Sequence, residues 1–103
     1  MATPEGKIKL LVKKWMLKHK IPNWSIIPSA MGNTTGVADI CAITKDGRWL
    51  AVEVKAEGKR GNVTANQQQF LDTIYNNGGR AYVVSCADDL AELEKILNIS
   101  GVI

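Results

Sequence analysis

The stretch from Gly36 to Lys55 constrains this chain more than any other. Two apolar runs flank Lys45-Asp46-Gly47, and each carries charge where a buried strand should have none. Asp39 stands near the start of the first run; Glu53 and Lys55 end the second. A strand buried on both faces reads as a near-continuous hydrophobic run, and an unpaired carboxylate is expensive inside one. Two acids and a lysine at strand ends therefore call for a partner, and a metal ion is the most economical.

The runs predict strands over 37–44 and 49–55. Lys45-Asp46-Gly47 fits a three-residue hairpin loop, a type I turn followed by glycine in the left-handed region. That register pairs Thr44 with Arg48 and sets Asp39 opposite Glu53. A two-residue turn at Asp46-Gly47 would pair Asp39 with Val54 and send the two acids to opposite faces. The first register is expected. It places Leu50, Val52 and Val54 on one face, and Trp49, Ala51, Glu53 and Lys55 on the other.

Residues 4–19 read as a helix, with Thr3 as N-cap, Pro4 at the first position, and an apolar face of Ile8, Leu11, Val12 and Trp15. Glu5 lies on or beside that face and also suits the positive end of the helix dipole. His19, between Lys18 and Lys20, reads as a solvated helix-end residue. Trp24 to Pro28 predicts a strand near a sheet edge. Ser29–Gly36 reads as a loop at the mouth of any site containing Asp39, and Met31–Thr35 could reach a DNA backbone. Residues 56–62 look like a mobile basic loop carrying Lys59 and Arg60.

Thr64 caps a predicted helix over 65–76, ended by Asn77-Gly78-Gly79, with a face of Gln67, Phe70, Leu71, Ile74 and Tyr75. Gln67 has two open roles, as partner in a Thr64-x-x-Gln67 capping box and as an inward-pointing side chain. A fourth strand over 81–85 follows a crossover helix, hence parallel pairing with 49–55. Asp88 is expected to cap a last helix with Leu90, Leu93, Ile96 and Leu97 inward. The order α-β-β-β-α-β-α predicts a mixed central sheet flanked by helices.

At 103 residues the chain is sized for one core, so a single domain over 1–103 is expected. No apolar run approaches a membrane span, and the N-terminus lacks a secretory signal core. Cys41 and Cys86, without C-x-x-C spacing, read as buried free thiols. The net charge of +3 leans mildly toward polyanionic partners. Nucleotide-cradling, Ser-His and redox-cysteine motifs are absent from the sequence.

If Asp39 and Glu53 share a face, two carboxylates, a backbone carbonyl and waters give the oxygen-rich coordination that magnesium prefers. Lys55 projects to the same face about 7 Å further along the strand. A divalent ion offsets charge on a phosphoryl oxygen and acidifies a coordinated water. The lysine can hold that water or stabilise charge on the phosphorane. These groups suit phosphodiester hydrolysis.

Asp39, the gap that follows, and Glu53-Val-Lys55 resemble the PD-(D/E)xK nuclease pattern. More narrowly, Gly36-Val-Ala-Asp39, Glu53-Val-Lys55, Val63-Thr-Ala-Asn-Gln67, Phe70-Leu71 and Gly78-Gly79 resemble the virus-type replication-repair nuclease (VRR-NUC) domain. Ala38 departs from the proline usual before the aspartate. The resemblance implies an α/β (α+β) restriction-endonuclease-like αβββαβ core. It implies Asp39, Glu53 and the Val54 carbonyl as metal ligands, Lys55 and Gln67 as catalytic residues, and Glu5 as an assisting acid. It further implies a Mg²⁺- or Mn²⁺-dependent endonuclease on branched DNA. The stand-alone phage or viral form is similar to homodimeric Holliday-junction resolvases, which implies a cytoplasmic location. Lys59 and Arg60 are the candidate DNA contacts. Two readings compete: a non-catalytic DNA-binding or protein-interaction module on the same fold, and a nuclease for flaps or splayed arms.

Overall fold

The Lys45-Asp46-Gly47 connection closes as a three-residue loop. Gly47 takes φ +81°, and the Thr44 N–H donates to the Arg48 carbonyl at 2.9 Å. Asp46 accepts hydrogen bonds from the Thr44 hydroxyl and the Arg48 guanidinium, fastening the turn. The computed structural model describes residues 3–26 and 36–99. In order these form α1 (Pro4–Lys18), β1 (Asn23–Ser25), β2 (Ile40–Ile43), β3 (Trp49–Val54), α2 (Ala65–Asn76), β4 (Arg80–Val84) and α3 (Ala87–Ile96).

The sheet order is β1-β2-β3-β4, antiparallel at the first two pairings and parallel between β3 and β4. The hairpin register runs from Ile43 opposite Trp49 to Ile40 opposite Val52, and its continuation sets Asp39 against Glu53. Fold class and element order therefore match expectation.

One sheet face carries the larger core. Leu50, Val52 and Val54 meet Ile40, Ala42 and Val84 there, under Ile8, Val12, Trp15 and Met16 of α1 and Leu90 and Leu93 of α3. Among the described residues, the other face is covered by α2. Leu71, with Phe70 and Ile74, packs on Ala38, Ala51, Ala81 and Val83. Small residues beneath α2 let its N-terminal turn approach the end of β3.

Several boundaries and side chains differ from expectation. The first hairpin strand covers 40–43, because the Val54 N–H goes to the Asp39 carboxylate at 2.8 Å and the Asp39 carbonyl turns to Ile26 N–H. Asp39 thus ends the ladder instead of joining it. The edge strand is confirmed over Asn23–Ser25; residues 27–35, with most of the predicted loop, lie outside the described residues.

His19 is buried, not solvated, because the helix turns it inward beside Trp15, where both side chains meet Glu94. Asp88 is not the cap of α3. Cys86 occupies that position, and Asp89 reaches back to the Ser85 N–H at 2.8 Å and its hydroxyl at 3.0 Å. Tyr75 and Ile96 are exposed, since their helices rotate them past the edge of the core. The free cysteines are half-buried.

Candidate active site

Glu53 is the most constrained side chain of the site. The β3 pleat that buries Val52 and Val54 in the larger core turns Glu53 toward α2, where it is only 2% exposed. Asp39 reaches the same strand end through its bond to Val54 N–H. The two acids meet as the register required.

Gln67 fills both of its proposed roles. At the third position of α2 it completes the capping box, its Oε1 accepting the Thr64 N–H at 2.9 Å while Thr64 Oγ1 accepts the Gln67 N–H at 3.1 Å. The same Oε1 accepts from Lys55 Nζ at 3.0 Å, and Nε2 donates to Glu53 Oε2 at 3.1 Å. Two donors on Oε1 and one acceptor on Nε2 fix the orientation of the amide. Lys55 lies 3.7 Å from Glu53 Oε2. One helix cap therefore positions both the lysine and one oxygen of the acid.

The other oxygen is unserved. Glu53 Oε1 is buried and has no hydrogen-bond partner among the described residues. Burial, then the charge of Asp39 and hydrogen bonding to its carboxyl, push the Glu53 pKa up to about 8; Lys55 opposes them and Glu5 adds a little. Two ionised carboxylates only accept, so the pair must either share a proton or take a cation.

The donor set fits a divalent cation. Asp39 and Glu53 Oε1 offer hard oxygen ligands, and the Val54 carbonyl lies one peptide further along. Among the described residues no three His, Cys, Asp or Glu side chains form a cage. Two carboxylates completed by water suit magnesium, which keeps much of its hydration, better than zinc. Glu5 stands outside this pair, exposed on the first turn of α1, although its charge reaches Glu53.

Sequence reasoning gave Gly36 no structural role. It has φ +75°, and a Cβ there would stand 2.4 Å from the Asn66 carbonyl carbon and oxygen and 2.7 Å from Gln67 N. Only glycine lets the segment leading to Asp39 lie against the first turn of α2. The signal was present, a glycine three residues before the acid, but its neighbours Asn66 and Gln67 stand about thirty positions further along the chain.

Lys59 is exposed as expected. Arg60 is not the free end of a mobile loop. Its guanidinium donates to the Val83 carbonyl at 3.2 Å, pairs with Asp89 at 3.6 Å and lies 5.2 Å from the Tyr82 ring centroid. The Val83 carbonyl and the Asp89 carboxylate meet beside the edge strand β4 and hold the guanidinium there.

The VRR-NUC domain family model matches residues 6–88. The chain belongs to the VRR-NUC family. The match runs from the first turn of α1 into the first turn of α3, taking in all four strands, α2, Asp39, Glu53, Lys55 and Gln67, and leaving out Glu5. This VRR-NUC domain is thus a nuclease-type domain. Searches of curated proteins and of solved structures returned no match. No helix among the described residues is long and apolar enough to cross a membrane.

Proposed function

We propose that this VRR-NUC domain is a divalent-metal-dependent deoxyribonuclease that cuts branched DNA, with the Holliday junction as substrate and a homodimer as acting unit. The observation that carries this reading is Glu53, a buried carboxylate with one oxygen unserved, paired with Asp39 beside a held lysine.

Asp39, Glu53 and the Val54 carbonyl would hold Mg²⁺ or Mn²⁺, with Glu5 assisting through water. When bound, the cation supplies a lowered water pKa and offsets charge on the phosphoryl oxygen. Lys55 presents its ammonium where charge builds on the phosphorane, and Gln67 keeps that ammonium from collapsing fully onto Glu53. Lys59 adds a phosphate contact; Arg60 does so as far as its tether to Val83 and Asp89 allows. Such contacts give binding that weakens steeply with salt. One site per chain against a two-fold-related pair of strands favours a symmetric dimer.

The test is a panel of linear, flap, splayed-arm and four-way substrates with Mg²⁺, Mn²⁺ or EDTA. Metal-dependent, paired cuts in the four-way junction are expected, lost in Asp39→Ala and Glu53→Ala while binding persists. Binding without cleavage at any metal concentration would assign the non-catalytic module instead, and preferred cutting of flaps would replace the resolvase reading. Sedimentation of a fully active monomer would remove the dimer.

A further inference from the structure

Among the described residues the sheet face beneath α2 is only half covered, because α2 packs over β3 and β4. Toward β1 and β2 the same face opens into a pocket of about 200 Å³ lined by Trp24, Ile26, Ala38, Trp49, Ala51 and Phe70 among others, almost devoid of polar atoms. Trp24 is 55% and Trp49 42% exposed, so both indoles stand open to solvent. Trp24 pairs with Cys41, which pairs with Ala51. Small side chains thus leave a floor between two aromatic walls.

That floor leads into the candidate active site. Along this face of β3 the order is Trp49, Ala51, Glu53, Lys55, with steps of about 7 Å. Ala38, in the pocket wall, directly precedes Asp39. Along the strand the pocket floor at Ala51 is therefore about 7 Å, and its Trp49 wall about 14 Å, from Glu53, a reach of one to two nucleotides.

We propose that this pocket takes an unpaired nucleobase of the strand being cut, flanking the scissile phosphate and stacked on Trp24 and Trp49. The inference deepens the nuclease reading and rests on it. Its occupant must be planar and apolar on its faces, yet joined to a phosphate delivered to Asp39 and Glu53; a nucleobase meets each condition. Stacking on aromatic side chains tolerates every base, since each has a π face. The described lining exposes almost no polar atoms and adds little hydrogen-bond readout, so the pocket selects for an accessible base more than for its identity. Bases inside a continuous duplex must be unpaired and unstacked to reach it, whereas a base beside an opened branch point has lost a stacking neighbour and is extruded at lower cost. The pocket thereby favours branched over linear DNA.

The test uses the full chain, a branched substrate whose cut has been mapped, and the same substrate lacking the base that flanks the cut. Removing the base, or replacing Trp24 or Trp49 by alanine, should each lower kcat/KM about 10- to 100-fold. The two losses should not multiply, and Trp24→Phe and Trp49→Phe should recover most of the rate. Independently, a short single-stranded oligonucleotide should quench tryptophan fluorescence where an abasic strand of equal length does not, and the alanine variants should lose the difference. Equal cleavage of intact and abasic substrates overturns the inference. So does conversion of a dimer to a monomer by Trp24→Ala, which would assign the patch to a second copy. Absence of cleavage on every substrate defeats the nuclease reading; the fluorescence comparison then decides the pocket, with equal quenching by both strands overturning it.

Discussion

Glu53→Gln should stabilise the metal-free protein while abolishing its metal response. In the folded chain the Glu53 pKa rises from 4.5 to about 8, first through burial and then through Asp39. The folded state thus holds this proton more tightly than the unfolded chain. Between those two values folding takes up a proton, so stability falls as pH rises through that window and is level on either side. The rise corresponds to at most about 5 kcal/mol, at about 1.36 kcal/mol per pH unit. Water entry and the nearby Lys55 ammonium screen that charge, leaving about 2 kcal/mol as the expected effect.

Glutamine keeps the shape, offers an N–H to Asp39 and carries no charge to desolvate. In EDTA at pH 8 the variant should gain about 2 kcal/mol, or roughly 10 °C in Tm, and at pH 4.5 the two proteins should coincide. Urea unfolding followed by far-UV circular dichroism between pH 4.5 and 9 makes the comparison, and the difference between the two proteins isolates Glu53 from other titrating groups. Adding Mg²⁺ at a hundred times its Kd should stabilise wild type by about 2.7 kcal/mol and leave the variant unmoved. A wild-type stability in EDTA that stays level from pH 4.5 to 8 relative to the variant would refute the reasoning.

Gly36→Ala should separate the Asp39 segment from α2, lowering cleavage at least 100-fold and stability by about 1–3 kcal/mol with secondary structure retained; kinetics and urea unfolding check both. Gln67→Glu divides the two roles of that residue. It keeps an acceptor for the Thr64 N–H, so α2 should stay capped, while a third negative group replaces the donor to Glu53, and the cleavage rate should drop with stability in Mg²⁺ near wild type. Glu94→Gln should weaken the fold by about 1–3 kcal/mol, because Trp15 and His19 lose an ionised acceptor, with no change in metal dependence. Those two donors, Trp15 first, hold the Glu94 pKa below its ordinary value. Its contribution is therefore present above the unfolded value and lost as pH falls through the folded one, so the variant's acid unfolding curve should be shallower.

The hairpin and its acids were legible in the sequence because a turn's residue types dictate its loop length, and loop length dictates register. Lys45-Asp46-Gly47 was enough to bring Asp39 against Glu53. Capping chemistry likewise marked the starts of α1 and α2, since Thr3 and Thr64 act on donors only a few residues away. The start of α3 was misread, because Asp88 is a plausible cap by residue type, whereas the helix begins two residues earlier, after Cys86, with Leu90 and Leu93 buried and Asp89 turned back to Ser85.

The sequence by itself determined the element order, the hairpin register and which two carboxylates meet at the strand end. Tertiary structure decided what those residues experience. Burial of Glu53 depends on α2 lying across the end of β3, and α2 can lie there because Gly36, Ala38 and Ala51 leave room. Arg60 and His19 acquired partners more than twenty and more than seventy positions away by the same long-range packing. Local rules specify which groups are available; only the folded chain fixes which are desolvated, and desolvation is what turns two acids at strand ends into a pair that must share a proton or take a cation.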